Sequence, residues 1–119
     1  MAAEGNHLRY GLPLAREILE RLRGGVQPTG RELEDAPCIE QWQLLPGEVA
    51  PYLLAGRVVG SATSEVLIAF DPSVGWARTV DRWFVLGEPA ASGRPLPSAT
   101  ELMQEVAAWI DRQLGETSR

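Results

Sequence analysis

Between Cys38 and Leu86 the chain is composed as strands, and the connections among them are too short to hold a crossover. A parallel neighbour needs a return path of a dozen or more residues, whereas an antiparallel neighbour needs only a tight turn. The β-type runs are Cys38–Leu45, Tyr52–Val59, Glu65–Phe70 and Trp76–Leu86. Between them lie Pro46-Gly47 to Pro51, then Gly60 to Ser64, then Asp71-Pro72-Ser73-Val74-Gly75. Proline, glycine, aspartate and serine are turn formers, so each connection reverses the chain. The spacing predicts a four-stranded antiparallel meander. Gly56, inside the second run, predicts a bulge or a close approach by another group.

Helical periodicity brackets this block. Leu14, Ala15, Ile18, Leu19 and Leu22 share one face of a stretch that opens at Pro13 and stops at Gly24-Gly25, while Arg16, Glu17, Glu20 and Arg23 face away. Thr29 and Glu32 have the spacing of a capping box, for a short helical turn ending before Pro37. After the loop Glu88–Pro97, Ser98 and Glu101 repeat that spacing. They open a last helix whose wide apolar face carries Leu102, Met103, Val106, Ala107, Trp109, Ile110 and Leu114, with Gly115 as its stop. The expected fold is α+β, a four-stranded antiparallel meander with an N-terminal and a C-terminal helix on one face (α-β-β-β-β-α). It forms one domain over 1–119, with 1–11 a loose arm and 116–119 a frayed tail.

Composition narrows the chemistry. The single cysteine, Cys38, excludes an internal disulfide and a multi-cysteine zinc site. All 11 basic residues are arginine, which excludes Schiff-base and lysine-base catalysis. A net charge of −5 argues against direct nucleic-acid binding, which needs a basic footprint. No run approaches a membrane span, and Met1–Tyr10 lacks the pattern of a secretory signal. The expected location is cytoplasmic, with no membrane partner.

The only histidine, His7, falls in the arm, so a serine or cysteine nucleophile has no base beside it. Cys38 reads as a small buried hydrophobe. No phosphate loop, dinucleotide fingerprint or zinc-protease motif is present. Glu65 and Asp71 share a strand face but lie roughly 20 Å apart in an extended chain. No catalytic residue, cofactor or metal is assigned. Trp42, Trp83 and Trp109 read as core.

The fourth run concentrates the binding chemistry. Alternation places Trp76, Arg78, Val80, Arg82 and Phe84 on one side, and Ala77, Thr79, Asp81, Trp83 and Val85 on the other. Neither side is uniformly apolar, and a bulge near Thr79–Asp81 would change which residues face inward. Arginine and aromatic residues are enriched at binding hot spots. Trp76, Arg78, Arg82 and Phe84 are therefore the expected contact residues, with Trp76 partly exposed beside its turn. Against this stands a structural role in which both arginines pair with Glu65, Asp71 or Asp81.

Thr63-Ser64-x-Val66, Asp71, Gly75-Trp76-Ala77-Arg78-Thr79, Arg82-Trp83-Phe84 and Leu86-Gly87 together resemble the core of an uncharacterised family of small proteobacterial proteins. In that family a strand ending in aspartate leads to a Gly-Trp-Ala-Arg-Thr hairpin and an arginine followed by two aromatics. The resemblance spans Thr63 to Gly87. It implies a bacterial origin and a hairpin, and no activity. The reading that follows is a small non-enzymatic interaction module of bacterial or phage origin, acting on a protein partner as an accessory, regulatory or inhibitory protein. An anti-CRISPR-like inhibitor falls within that class, and a homodimer is compatible with it. The alternatives are an anionic-ligand-binding domain using Arg78, Arg82 and Arg57, and an enzyme with carboxylate chemistry.

Overall fold

The stretch from Trp76 to Leu86 does not form one strand, because the chain reverses at Val80-Asp81-Arg82. The computed structural model describes residues 2–91 and 95–117, with side chains over 11–91 and 95–115. Its elements are α1 (Ala2–Arg23), α2 (Gly30–Glu34), β1 (Cys38–Pro46), β2 (Tyr52–Val58), β3 (Ser61–Asp71), β4 (Trp76–Thr79), β5 (Trp83–Leu86) and α3 (Ala99–Thr117). Thr79 locks the reversal. Its N–H donates to the Arg82 carbonyl at 2.9 Å. Its hydroxyl oxygen accepts the N–H groups of Asp81 at 3.3 Å and Arg82 at 3.2 Å. A threonine that bonds backbone two and three residues ahead offers the chain a turn in place of a longer strand.

The extra strand changes the topology as well as the count. Each step of a meander reverses direction, so its first and fourth strands are antiparallel but its first and fifth are parallel. Here β1 and β5 pair in parallel, Cys38 with Val85 and Ile39 with Leu86, and the sheet closes in the order β1-β2-β3-β4-β5. The expected open four-stranded meander is thus corrected to a five-stranded closed barrel, still within the α+β class. Beyond β5 the chain keeps to β1: Gly87 N–H donates to the Ile39 carbonyl, and Ala90 N–H to that of Trp42.

Closure bends the strands at two places. In β1 the register shifts between Glu40 and Gln43, where Gln41 has φ 51°. That bulge puts Ile39, Trp42 and Leu44 inside, and leaves Cys38 exposed rather than buried as the sequence suggested. In β3 the register shifts between Leu67 and Ala69, and Leu67, Ile68, Ala69 and Phe70 are all buried. Gly56 is a point of close approach: a Cβ there would lie 2.7 Å from Ile39 Cγ1 and 2.9 Å from the Glu40 carbonyl oxygen.

α1 and α3 pack on each other and on β3. Leu12, Ala15, Ile18, Leu19 and Leu22 of α1 and Leu102, Val106, Trp109 and Ile110 of α3 are buried. α1 starts at Ala2, so the backbone read as a loose arm is helical and Pro13 lies within the helix. Leu12 is buried, and a Cβ on Gly11 would come within 2.6 Å of Val80 Cγ1. Tertiary contact holds the turn before Pro13 where periodicity gave no signal. The side chain of His7 lies outside the described residues. The Thr29–Glu32 capping box forms, and Glu101 N–H donates to Ser98 Oγ at 3.0 Å. α3 continues past Gly115 to Thr117, and residues 118 and 119 of the expected tail lie outside the described residues. Among the described residues no helix is long and apolar enough to cross a membrane.

Candidate functional site

The four residues expected to form one contact surface do not share one. Trp76 is 2% exposed and Phe84 is fully buried, so neither offers a ring to a partner. The expectation of a partly exposed Trp76 fails because its indole packs edge-on against Trp83 at 5.6 Å and its Nε1 donates to Gln27 Oε1 at 3.3 Å. Trp83, read as core, is only partly buried. The reversal at Val80–Arg82 separates the two arginines, leaving Arg78 in β4 and Arg82 in the turn.

Arg82 and Glu65 form an ion pair. Arg82 Nε donates to Glu65 Oε2 at 3.0 Å, and Nη2 bonds the same oxygen. Thr79 Oγ1 donates to Glu65 Oε1 at 2.8 Å. Both carboxylate oxygens are therefore engaged, and donating to Glu65 holds the Arg82 guanidinium above its ordinary pKa. The Glu65 side chain is 15% exposed and that of Arg82 46%, so the arginine is the outward half of the pair. Its guanidinium carbon sits 4.8 Å from the centre of the Phe84 ring. For Arg82 the structural role weighed from the sequence is the one observed.

Arg78 differs. It is 7% exposed, yet among the described residues no carboxylate lies within ion-pairing distance of it. Its Nε donates to the Thr79 carbonyl at 2.8 Å, and its guanidinium lies over Trp83 at 5.2 Å. Burial pushes its pKa down, the charges of Glu32 and Asp81 push it up, and that of Arg21 pushes it down. Beside Trp83 a cleft of about 60 Å³ opens between the end of α1 and α2, with Arg21, Gln27, Thr29 and Glu32 among its lining. Glu32 faces the same cleft: Thr29 N–H donates to its Oε1 at 2.9 Å, and that bond first, with the Thr29 and Trp83 side chains and the charge of Arg21, lowers its pKa against the effect of burial.

A second feature lies on β3. The β2–β3 connection is the two-residue loop Val59-Gly60, with φ values of 49° and 80°. Two consecutive positive φ angles are the mark of a type I′ hairpin turn. Val59 is 98% exposed. A β-branched residue in the left-handed region is strained, typically by about 1–3 kcal/mol. Beyond this loop Val58 opposes Ser61, and the ladder runs without a shift to Leu53 and Val66. The closing pair of a two-residue loop is hydrogen-bonded, so alternation turns the backbone groups of Ala62 and Ser64 away from β2. Val66, next in that series, accepts the Val80 N–H at 3.0 Å. β4 begins its pairing at Leu67, so among the described residues Ala62 and Ser64 face no strand on that side.

Sequence reasoning had read Gly60–Ser64 as a turn and Val59 as the end of a strand. A two-residue loop between alternating segments is a hairpin signal, and asparagine in place of Val59 would have made it legible. Nothing in the sequence singled out Arg21. Cys38 lies 3.7 Å from Glu40 Oε2, and desolvation first and that carboxylate second raise its thiol pKa, which disfavours the reactive thiolate. Among the described residues no three histidine, cysteine or acidic side chains gather as a metal site would require. Comparison of the chain with family models, with curated proteins and with solved structures finds no match.

Proposed function

We propose that the protein is a non-enzymatic interaction module that binds an extended segment of a partner protein by adding it as a strand beside Ala62 and Ser64 of β3. The observation that carries this reading is the undefended edge. Natural edges are protected by charge, proline or a bulge. Gly60–Ser64 has no charge and no proline, and the register over Ser61–Val66 has no shift. The exposed and strained Val59 sits at its tip.

Charge selects the segment. Arg57 opposes Ala62 and is exposed, and Arg82 is the outward half of its pair with Glu65. Two guanidinium groups thus flank the edge in a chain of net charge −5. The complementary partner is an extended strand bearing acidic side chains, docked by backbone hydrogen bonds. The resemblance of Thr63–Gly87 to a small proteobacterial family bears on a bacterial origin for the module and not on its activity.

The test is a selection of displayed random peptides against the immobilised protein, followed by hydrogen exchange on the complex. Acidic, β-prone peptides are expected to emerge and to slow exchange at the Ala62 and Ser64 amides. Ala62→Pro removes an outward N–H without touching the β2 ladder, and it should abolish their binding. Selected peptides that bind Ala62→Pro as tightly as wild type would refute the reading.

A further inference from the structure

Arg78 lies over Trp83 and Arg21 lines the cleft beside it, and among the described residues neither has a carboxylate within ion-pairing distance. An arginine as buried as Arg78 is costly when its charge is uncompensated. Of its donors, Nε is bonded to the Thr79 carbonyl, and no bond within the described chain takes up the two terminal nitrogens. Those nitrogens are not sealed in either. Among the described residues the only fully buried side-chain nitrogen or oxygen without a partner is Trp109 Nε1. The outer edge of the guanidinium therefore meets solvent, while its face is held over Trp83.

Trp83 is common to both parts. It carries the Arg78 guanidinium and walls the cleft that Arg21 lines. The remaining lining is apolar at Ile18, Leu22, Val26 and Pro28 and polar at Gln27, Thr29 and Glu32. The acidic groups that bear on Arg78 are Glu32 and Asp81. Glu32 bonds Thr29 and also meets Trp83 and the charge of Arg21, and among the described residues no ion pair joins Glu32 or Asp81 to the Arg78 guanidinium. The volume of about 60 Å³ suits two waters or one small planar group. A guanidinium fork matches a carboxylate in shape and charge.

We propose that Arg78, Arg21 and the ring of Trp83 form a site for a carboxylate carried on an apolar stem, with the oxygens at the arginines and the stem in the Ile18–Val26 part of the cleft. The site is separate from the β3 edge and does not rest on the strand-addition reading. Held there, the carboxylate supplies a second negative charge beside Glu32 for Arg21 and Arg78.

The test uses the full chain and acetate as probe, titrated against sodium chloride at equal ionic strength. NMR follows the indole N–H of Trp83 and the Nε–H of Arg78. Acetate is expected to shift both signals saturably, and butyrate to bind more tightly than acetate, while chloride shifts neither. Arg21→Gln alters an exposed side chain and should weaken acetate at least tenfold. Arg78→Gln should abolish binding if it folds, and Arg21→Gln decides the matter if it does not. Equal responses to acetate and chloride, unchanged affinity in Arg21→Gln, or tighter binding of inorganic phosphate than of butyrate would each overturn the assignment.

Discussion

The β4–β5 and β2–β3 hairpins use tight turns in opposite ways. In β4–β5 the turn is held by Thr79 and Glu65, and the strands are stitched by ring contacts of Trp76 with Trp83, Arg78 with Trp83 and Arg82 with Phe84. All of Trp76–Thr79 is buried. In β2–β3 the turn is bare, its first residue is strained and exposed, and the strand beyond it shows small uncharged side chains to solvent. The distinctive tryptophans and arginines thus close the barrel, while the plain segment Val59–Ser64 is left outward. Residue types enriched at binding sites are the same types that fill a small barrel, and only burial separates the two uses.

The comparison breaks most easily at Phe84. If the β4–β5 hairpin is core, Phe84→Ala should lower the unfolding free energy by about 3–5 kcal/mol in a denaturant titration. A loss below about 1 kcal/mol would mean that the hairpin is not a structural element at all. Glu65 offers the next largest effect. Glu65→Gln keeps the volume but weakens the acceptor for both Thr79 and Arg82. A loss of about 1–3 kcal/mol is expected from hydrogen bonds of this kind. Near-neutral behaviour would show that the Glu65 pair does not hold the turn.

The helical faces, apart from Leu14, which is exposed, the capping box at Thr29 and the strand character of 38–86 could be read from periodicity and turn residues. The closure could not. It depends on Thr79 turning the chain at Val80–Arg82, and a threonine amid alternating residues is equally a strand former. Missing that turn removed a strand, and with it the parallel pairing of β1 with β5. The burial of Trp76 was hidden for a similar reason. Its neighbour Gly75 signals a turn, but the indole finds Gln27, 49 positions earlier in the chain. The bulge at Gln41 likewise overrode alternation in β1, which is why Cys38 and Trp42 part company.

The smallest effect tests the exposed half of the comparison and runs opposite in sign. Val59→Asn places a residue that tolerates the left-handed region at a position with φ 49°, followed by a glycine with φ 80°. Asn-Gly is the preferred pair for this turn, and Val59 makes little packing to lose at 98% exposure. The variant should therefore be more stable by about 1 kcal/mol, a rise in melting temperature of about 4 °C. Strain retained in an exposed turn has a physical use only if the side chain meets something that the isolated chain lacks. The same variant should then bind the selected acidic peptides more weakly while melting higher, a combination that no general loss of structure produces. If Val59→Asn leaves both stability and binding unchanged, the β2–β3 turn is an ordinary connection, and the contrast between the hairpins reduces to burial alone.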